Sequence, residues 1–249
     1  MSAMGTPPLA RRLAAEAVGT ALLVAVVVGS GIAAQQLSPN DTGLQLLQNS
    51  TATVLGLAVL ILVFGPVSGA HFNPAVSLAD WLAGRRTGTG LTGTETAAYS
   101  AAQTLGAVLG AVLANIMFDT AAAQISTHHR ITTGHLIGEI VATAGLIALI
   151  FTLARTGRTA LAPFAVAAWI GAAYWFTSST SFANPAVTIG RIFTDTFAGI
   201  APTSAPGFIA AQLLGALLGL GAAAVFHPAT SPDDIVLPHP DPLKGPLPQ

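Results

Sequence analysis

Six predominantly apolar stretches, separated by charged or Pro/Gly-rich breaks, cover most of the chain, at 13–34, 51–67, 96–118, 136–154, 159–177 and 206–226. A helix needs roughly 20 apolar residues to cross a hydrocarbon core, so each stretch predicts a membrane span. Shorter apolar runs follow the second and fifth stretches, and both open on the same punctuation, Asn73-Pro74-Ala75-Val76 and Asn184-Pro185-Ala186-Val187. Proline at the first helical position lacks only a donor that would be unpaired there anyway, so Pro74 and Pro185 predict helix starts. The run 74–83 rises about 15 Å, half of a core roughly 30 Å thick. It reaches the midplane without crossing. The pattern predicts an all-α membrane protein of six transmembrane helices plus two re-entrant half-helices.

Internal repetition orders these elements. Ala101-Ala102-Gln103-Thr104-Leu105-Gly106-Ala107-Val108-Leu109-Gly110 matches Ala210-Ala211-Gln212-Leu213-Leu214-Gly215-Ala216-Leu217-Leu218-Gly219 at eight of ten positions. Glu16 followed by Thr20 opens the first span as Glu139 followed by Thr143 opens the fourth. Repeat one is placed at 11–118 and repeat two at 135–227. Each holds three spans, an odd number, so the copies face opposite ways and meet near the midplane. Half-helices entering from opposite faces aim both positive dipole ends at the centre, where cations are repelled. There the carboxamides of Asn73 and Asn184 are expected to donate hydrogen bonds into the lumen. The polar backbone leading into each start, 69–71 and 180–182, belongs against a cavity and not against lipid. Gly106 and Gly110, with Gly215 and Gly219, allow close helix approach and are expected to support subunit assembly.

Composition changes the picture mainly by exclusion. Hydrophobic residues make up 52% of the chain and charged residues 8%, against roughly a quarter charged in soluble domains. A net charge of -1 gives no field that gathers nucleic acid. The chain has no cysteine, and no nucleophile and base recur at useful spacing, so enzymatic chemistry and a cofactor are not expected. Arg11, Arg12, Arg85, Arg86, Arg155, Arg158 and Lys244 fall on one side of the bilayer, leaving Arg130 and Arg191 on the other. The basic side is cytoplasmic by the positive-inside bias, so both termini, 1–10 and the Pro-rich 228–249, are expected in the cytoplasm. That tail is expected to be disordered. Arg11-Arg12 before an apolar run also has the form of a secretory signal, but the run is long and carries Glu16, whose counterpart a cleaved segment would not need.

The chain resembles the aquaporin and aquaglyceroporin family over nearly all of 11–227. Ser68-Gly69-Ala70-His71-Phe72-Asn73-Pro74-Ala75-Val76, Asn184-Pro185-Ala186 and the paired Glu16/Glu139 and Gln103/Gln212 carry the resemblance. It implies a multi-pass inner-membrane channel, a homotetramer with one pore per subunit, and passive passage of small neutral solutes through the lipid bilayer. It also implies that Glu16 and Glu139, with His71, Gln103 and Gln212, support the re-entrant loops. A secondary transporter, which also uses inverted repeats and broken helices, and a closed-pore structural protein are the alternatives. The first would show saturable, ion-coupled uptake and the second no flux.

Counting from the two asparagines as the family does places the selectivity filter at Thr53, Ala172, Ser181 and Val187. Most members have arginine at the last position and an aromatic ring or histidine among the others, whereas these four residues include neither. The quartet resembles that of bacterial aquaporins associated with arsenic resistance, which similarly replace the arginine with valine. A wide, neutral constriction passing water, glycerol-type polyols and neutral metalloid hydroxides such as arsenite is therefore expected. Arg191, one turn beyond Val187, either rings the outer mouth or is a helix-end cation pairing with Asp195.

Overall fold

The computed structural model describes residues 7–228 except Arg86, so the expectations for the tail lie outside the described residues. Six helices among them are long and apolar enough to cross a membrane. They are α1 (Leu9–Leu37), α2 (Thr42–Ser68), α4 (Gly93–Met117), α5 (Thr133–Arg155), α6 (Ala162–Phe176, entered through a 3-10 turn at Thr159–Leu161) and α8 (Ala205–Phe226). The two short helices are α3 (Pro74–Gly84) and α7 (Pro185–Gly190), the latter running into a 3-10 turn at Arg191–Phe193. The helix α2 begins nine residues before its apolar run. Asp41 caps it by accepting from Leu44 N, and Asn49 donates to Val27 O and to Ser30 Oγ on α1, so a polar segment is carried into the helix. Hydropathy sees only the part that matches hydrocarbon.

Helix α1 packs on α4 and α5 on α8, with α2 against α6 closing the ring. The close pairs are made by the glycines. A Cβ at Gly106 would sit 2.2 Å from Ala17 O, one at Gly110 2.1 Å from Ala21 O, and one at Gly219 2.3 Å from Ala144 O. No side chain fits at such separations. The glycine seams therefore join helices within one chain, which corrects the expectation that they support assembly between subunits. The opposite faces of the same helices expose Leu105, Leu109 and Leu113 on α4 and Leu214, Leu217 and Leu218 on α8. Small residues inside and large apolar residues outside is the pattern of a helix bundle in lipid, where leucine has nothing to gain from leaving the solvent.

Candidate functional site

The two half-helices meet at their N-termini. Asn73 caps α3 by accepting from Ala75 N at 2.9 Å, and Asn184 caps α7 by accepting from Ala186 N at 2.9 Å and Val187 N at 3.2 Å. Their amide groups then cross the pseudo-twofold axis. Asn73 Nδ2 donates to Ala183 O and Asn184 Nδ2 to Phe72 O, both at 2.7 Å. One hydrogen of each amide is therefore spent on bracing the opposite repeat, and only the other is left for the lumen. The sequence expectation of amides simply donating into the lumen needs that correction.

The segments before each asparagine run through left-handed backbone at non-glycine residues. Ala70 and Phe72 have φ of 50°, Thr180 has 60°, and Ser181 and Ala183 have 47°. Each such residue costs on the order of 1–3 kcal/mol and persists only where its surroundings impose it. Two buried carboxylates impose it here. Glu16 accepts from Ser68 Oγ at 2.6 Å, His71 N at 3.0 Å, Phe72 N at 2.7 Å and Gln103 Nε2 at 2.7 Å. Glu139 accepts from Phe182 N at 2.9 Å, Ala183 N at 2.8 Å and Gln212 Nε2 at 2.6 Å. The glutamines reach on to hydroxyls four residues past each asparagine, Gln103 to Ser77 and Gln212 to Thr188. His71 Nδ1 is 2.9 Å from the same Ser77 hydroxyl. Ser77 and Thr188 were legible as a matched hydroxyl pair in the aligned repeats, but sequence reading passed over them.

One cavity of about 120 Å³ passes these elements, room for a file of several waters. One end is bordered by Leu153, Thr159 and Ala162, the middle by Asn73 and Asn184, and the other end by Thr53, Tyr174, Ser181, Val187 and Arg191. Three of the four expected filter residues thus share that end. Ala172 does not. It is exposed on the outer face of α6, and Tyr174 lines the cavity in its place, its hydroxyl 3.3 Å from Thr53 Oγ1. Two residues along a helix rotate a side chain by about 200°, so a count two positions short lands on the lipid-facing side.

Arg191 also lies on the cavity wall. It does not pair with Asp195, which accepts from Thr127 N at 2.8 Å and Thr127 Oγ1 at 3.0 Å. Those two donors hold the exposed Asp195 carboxyl below its ordinary value. The Arg191 Cζ is 3.4 Å from the Phe182 ring centroid, and Phe182, an aromatic ring that motif counting does not reach, borders the cavity beside it. That end is therefore neither free of aromatics nor free of charge. Trp81, Trp169 and Trp175 do not border the cavity. Among the described residues no group of three His, Cys, Asp or Glu side chains could hold a metal ion.

Comparison with known proteins agrees with this architecture. The family model "Major intrinsic protein" matches residues 3–181. The aquaglyceroporin AqpS of Rhizobium meliloti (strain 1021) is 50% identical over 212 residues, 85% of this chain and 88% of that protein. The glycerol uptake facilitator protein of Pseudomonas aeruginosa is 31% identical over 260 residues, 88% of this chain and 90% of its own. In fold, the chain is similar to the X-ray structure of the aquaglyceroporin from Plasmodium falciparum, with a TM-score of 0.63 at 20% identity, covering 90% of this chain and 98% of that one. The family match, the 50% identity and the duplicated half-helices together show that the chain belongs to the major intrinsic protein family, whose members are membrane channels and not enzymes.

Proposed function

We propose that the chain forms a passive pore for uncharged solutes from water to glycerol in size, neutral trihydroxy metalloids such as arsenite included. The observation that carries this reading is the cavity that runs past both asparagine caps to an end lined by hydroxyls, a guanidinium and apolar walls. A solute with hydroxyls on one side and carbon on the other meets donors and apolar surface together there. A cation meets Arg191 and two half-helix N-termini. Thr53, Ser181 and Val187 are the filter residues of this reading, with Asn73-Pro74-Ala75 and Asn184-Pro185-Ala186 at the centre. Both named relatives with extensive coverage carry glycerol in their descriptions, which supports the solute class. The basic residues assign Arg11, Arg85 and Arg155 to the cytoplasmic side of an inner membrane and Arg130 to the outside. Homotetramer assembly through the exposed apolar faces completes the proposal.

Stopped-flow swelling of proteoliposomes across water, glycerol, urea and arsenite tests it. Glycerol and arsenite entering well above the empty-vesicle rate, without saturation or ion coupling, is the expected result. Empty-vesicle rates would leave only a structural role, and saturable ion-coupled uptake would make the protein a transporter.

A further inference from the structure

Val187 leaves the first turn of α7 uncharged, yet the cavity wall one turn further on is cationic. Four residues rotate a helical side chain by about 400° and advance it about 6 Å, so position 191 returns nearly to the face of 187. A guanidinium on a long stem spans that offset. Arg191 is 2% exposed, and its Nε donates to Ala198 O. Among the described residues its Nη groups have no protein acceptor, and the residue borders the cavity, so these donors are available to a solute.

The loop that holds Arg191 is itself held. Arg130 donates from Nη2 to Phe197 O and from Nε to Gly199 O, both at 2.7 Å. These carbonyls flank the one taken by Arg191, so two guanidiniums interlock on three successive carbonyls. They also share a ring, since the Arg130 Cζ is 5.4 Å from the Phe182 centroid. Ile200 N donates back to Arg191 O at 3.1 Å, and Phe197 N donates to Gln35 on α1 at 3.1 Å. Arg130 does not border the cavity.

We propose that Arg191 is the fixed cation of this pore's filter, supplied one helical turn beyond Val187, and that Arg130 is the positioning residue that sets it there. The inference deepens the pore reading above and rests on it. Valine at 187 widens the ring, while Arg191, backed by Phe182 and facing Tyr174 and Thr53, keeps a donor edge and a positive charge. The filter therefore takes polyhydroxylated neutral solutes against one polar edge and rejects cations.

The test uses the full-length chain in proteoliposomes, with water, glycerol and xylitol as solutes and a sodium-leak assay alongside. Arg191→Met keeps length and contact with Phe182 while removing charge and donors. The xylitol-to-glycerol permeability ratio should rise several-fold and a sodium leak should appear. Arg130→Gln should move the same ratio in the same direction by less, and Arg130→Lys should resemble it, because an ammonium lacks the planar fork that meets two carbonyls. A merely structural Arg130 would lower thermal stability and leave the ratio unmoved, which overturns the positioning role. A measurement with Arg191 intact stands beside these variants. The chain has no cysteine, so Val187→Cys offers one thiol, which an anionic methanethiosulfonate should modify faster than a cationic one. Equal rates, cation-favoured rates or no labelling overturn the proposal, whatever the folding of the Arg191 variants. Wild-type glycerol flux at the empty-vesicle rate would sink the pore reading itself. Normal wild-type flux with unchanged ratios in folded Arg191→Met sinks only this inference.

Discussion

Glu139 gives one oxygen to Phe182 N and the other to Ala183 N and Gln212 Nε2, and it is wholly buried. Glu139→Gln keeps the shape but replaces one acceptor oxygen with a donor. Each carboxylate oxygen serves one backbone N–H, so either amide orientation orphans one of them, a cost of about 1–3 kcal/mol. Glu139→Ala orphans all three donors, about 3–9 kcal/mol. It also releases the restraint on Ser181 and Ala183, each held at φ of 47°. A loss of that size is comparable with the whole stability of a domain, about 5–15 kcal/mol. Glutamine should therefore yield a folded, less stable channel, and alanine little folded protein. The functional loss in the glutamine variant should exceed its stability loss. Ala183 O receives Asn73 Nδ2, and Ser181 borders the cavity, so relaxation of this loop disturbs the pore before it unfolds the bundle. Heated samples followed by size-exclusion chromatography give the stability order, and glycerol swelling gives the function. An alanine variant that melts and conducts like the wild type would refute the claim that the carboxylate imposes the loop conformation.

Three further outcomes are expected. Asn184→Asp replaces the donor that meets Phe72 O at 2.7 Å with an acceptor and adds a negative charge at the midplane. Planar-bilayer recordings should show a new cation conductance, and a folded variant without one would count against the half-helix account. Gly215→Leu would drive a Cβ to 2.6 Å from Ile140 O, so the expected loss is of the folded subunit, and folded monomers with native flux would contradict the α5–α8 seam. Ala172→Leu should leave the xylitol-to-glycerol ratio unchanged while Tyr174→Ala raises it; the reverse pattern would restore Ala172 to the pore.

The bundle was legible because lipid enforces a simple rule, that every backbone polar group must be satisfied within the chain, and a long apolar helix does so within one segment. The half-helices were legible because Asn-Pro recurs at matched places in two repeats. What failed was finer than one helical turn. Counting to Ala172 assumed a fixed distance from the end of α6 to Asn184, and an error of two residues turns the chosen side chain through more than half a circle. The two roles left open for Arg191, outer mouth or helix-end cation, could not be separated for a related reason. Adding residues to a motif reads positions, whereas Arg191 reaches the cavity by length of side chain and by a loop carbonyl at Ala198 that no local pattern announces. The glycine repeats were correctly seen as close-approach sites, but spacing alone does not say which helix approaches.

The crossed amides also set an order of events in biosynthesis. Asn73 finds its acceptor 110 residues later, at Ala183, and Phe72 O finds its donor 112 residues later, at Asn184. At translation rates of 5–20 residues per second, that interval is on the order of ten seconds. During it, the first re-entrant loop has its glutamate and its helix cap but not its bracing partner. The first three spans can enter the membrane while their pore loop is still unlocked. Closure of the midplane is then a single late step in which both loops latch together, and a ribosome that stops before Asn184 leaves behind an inserted but unsealed half-channel.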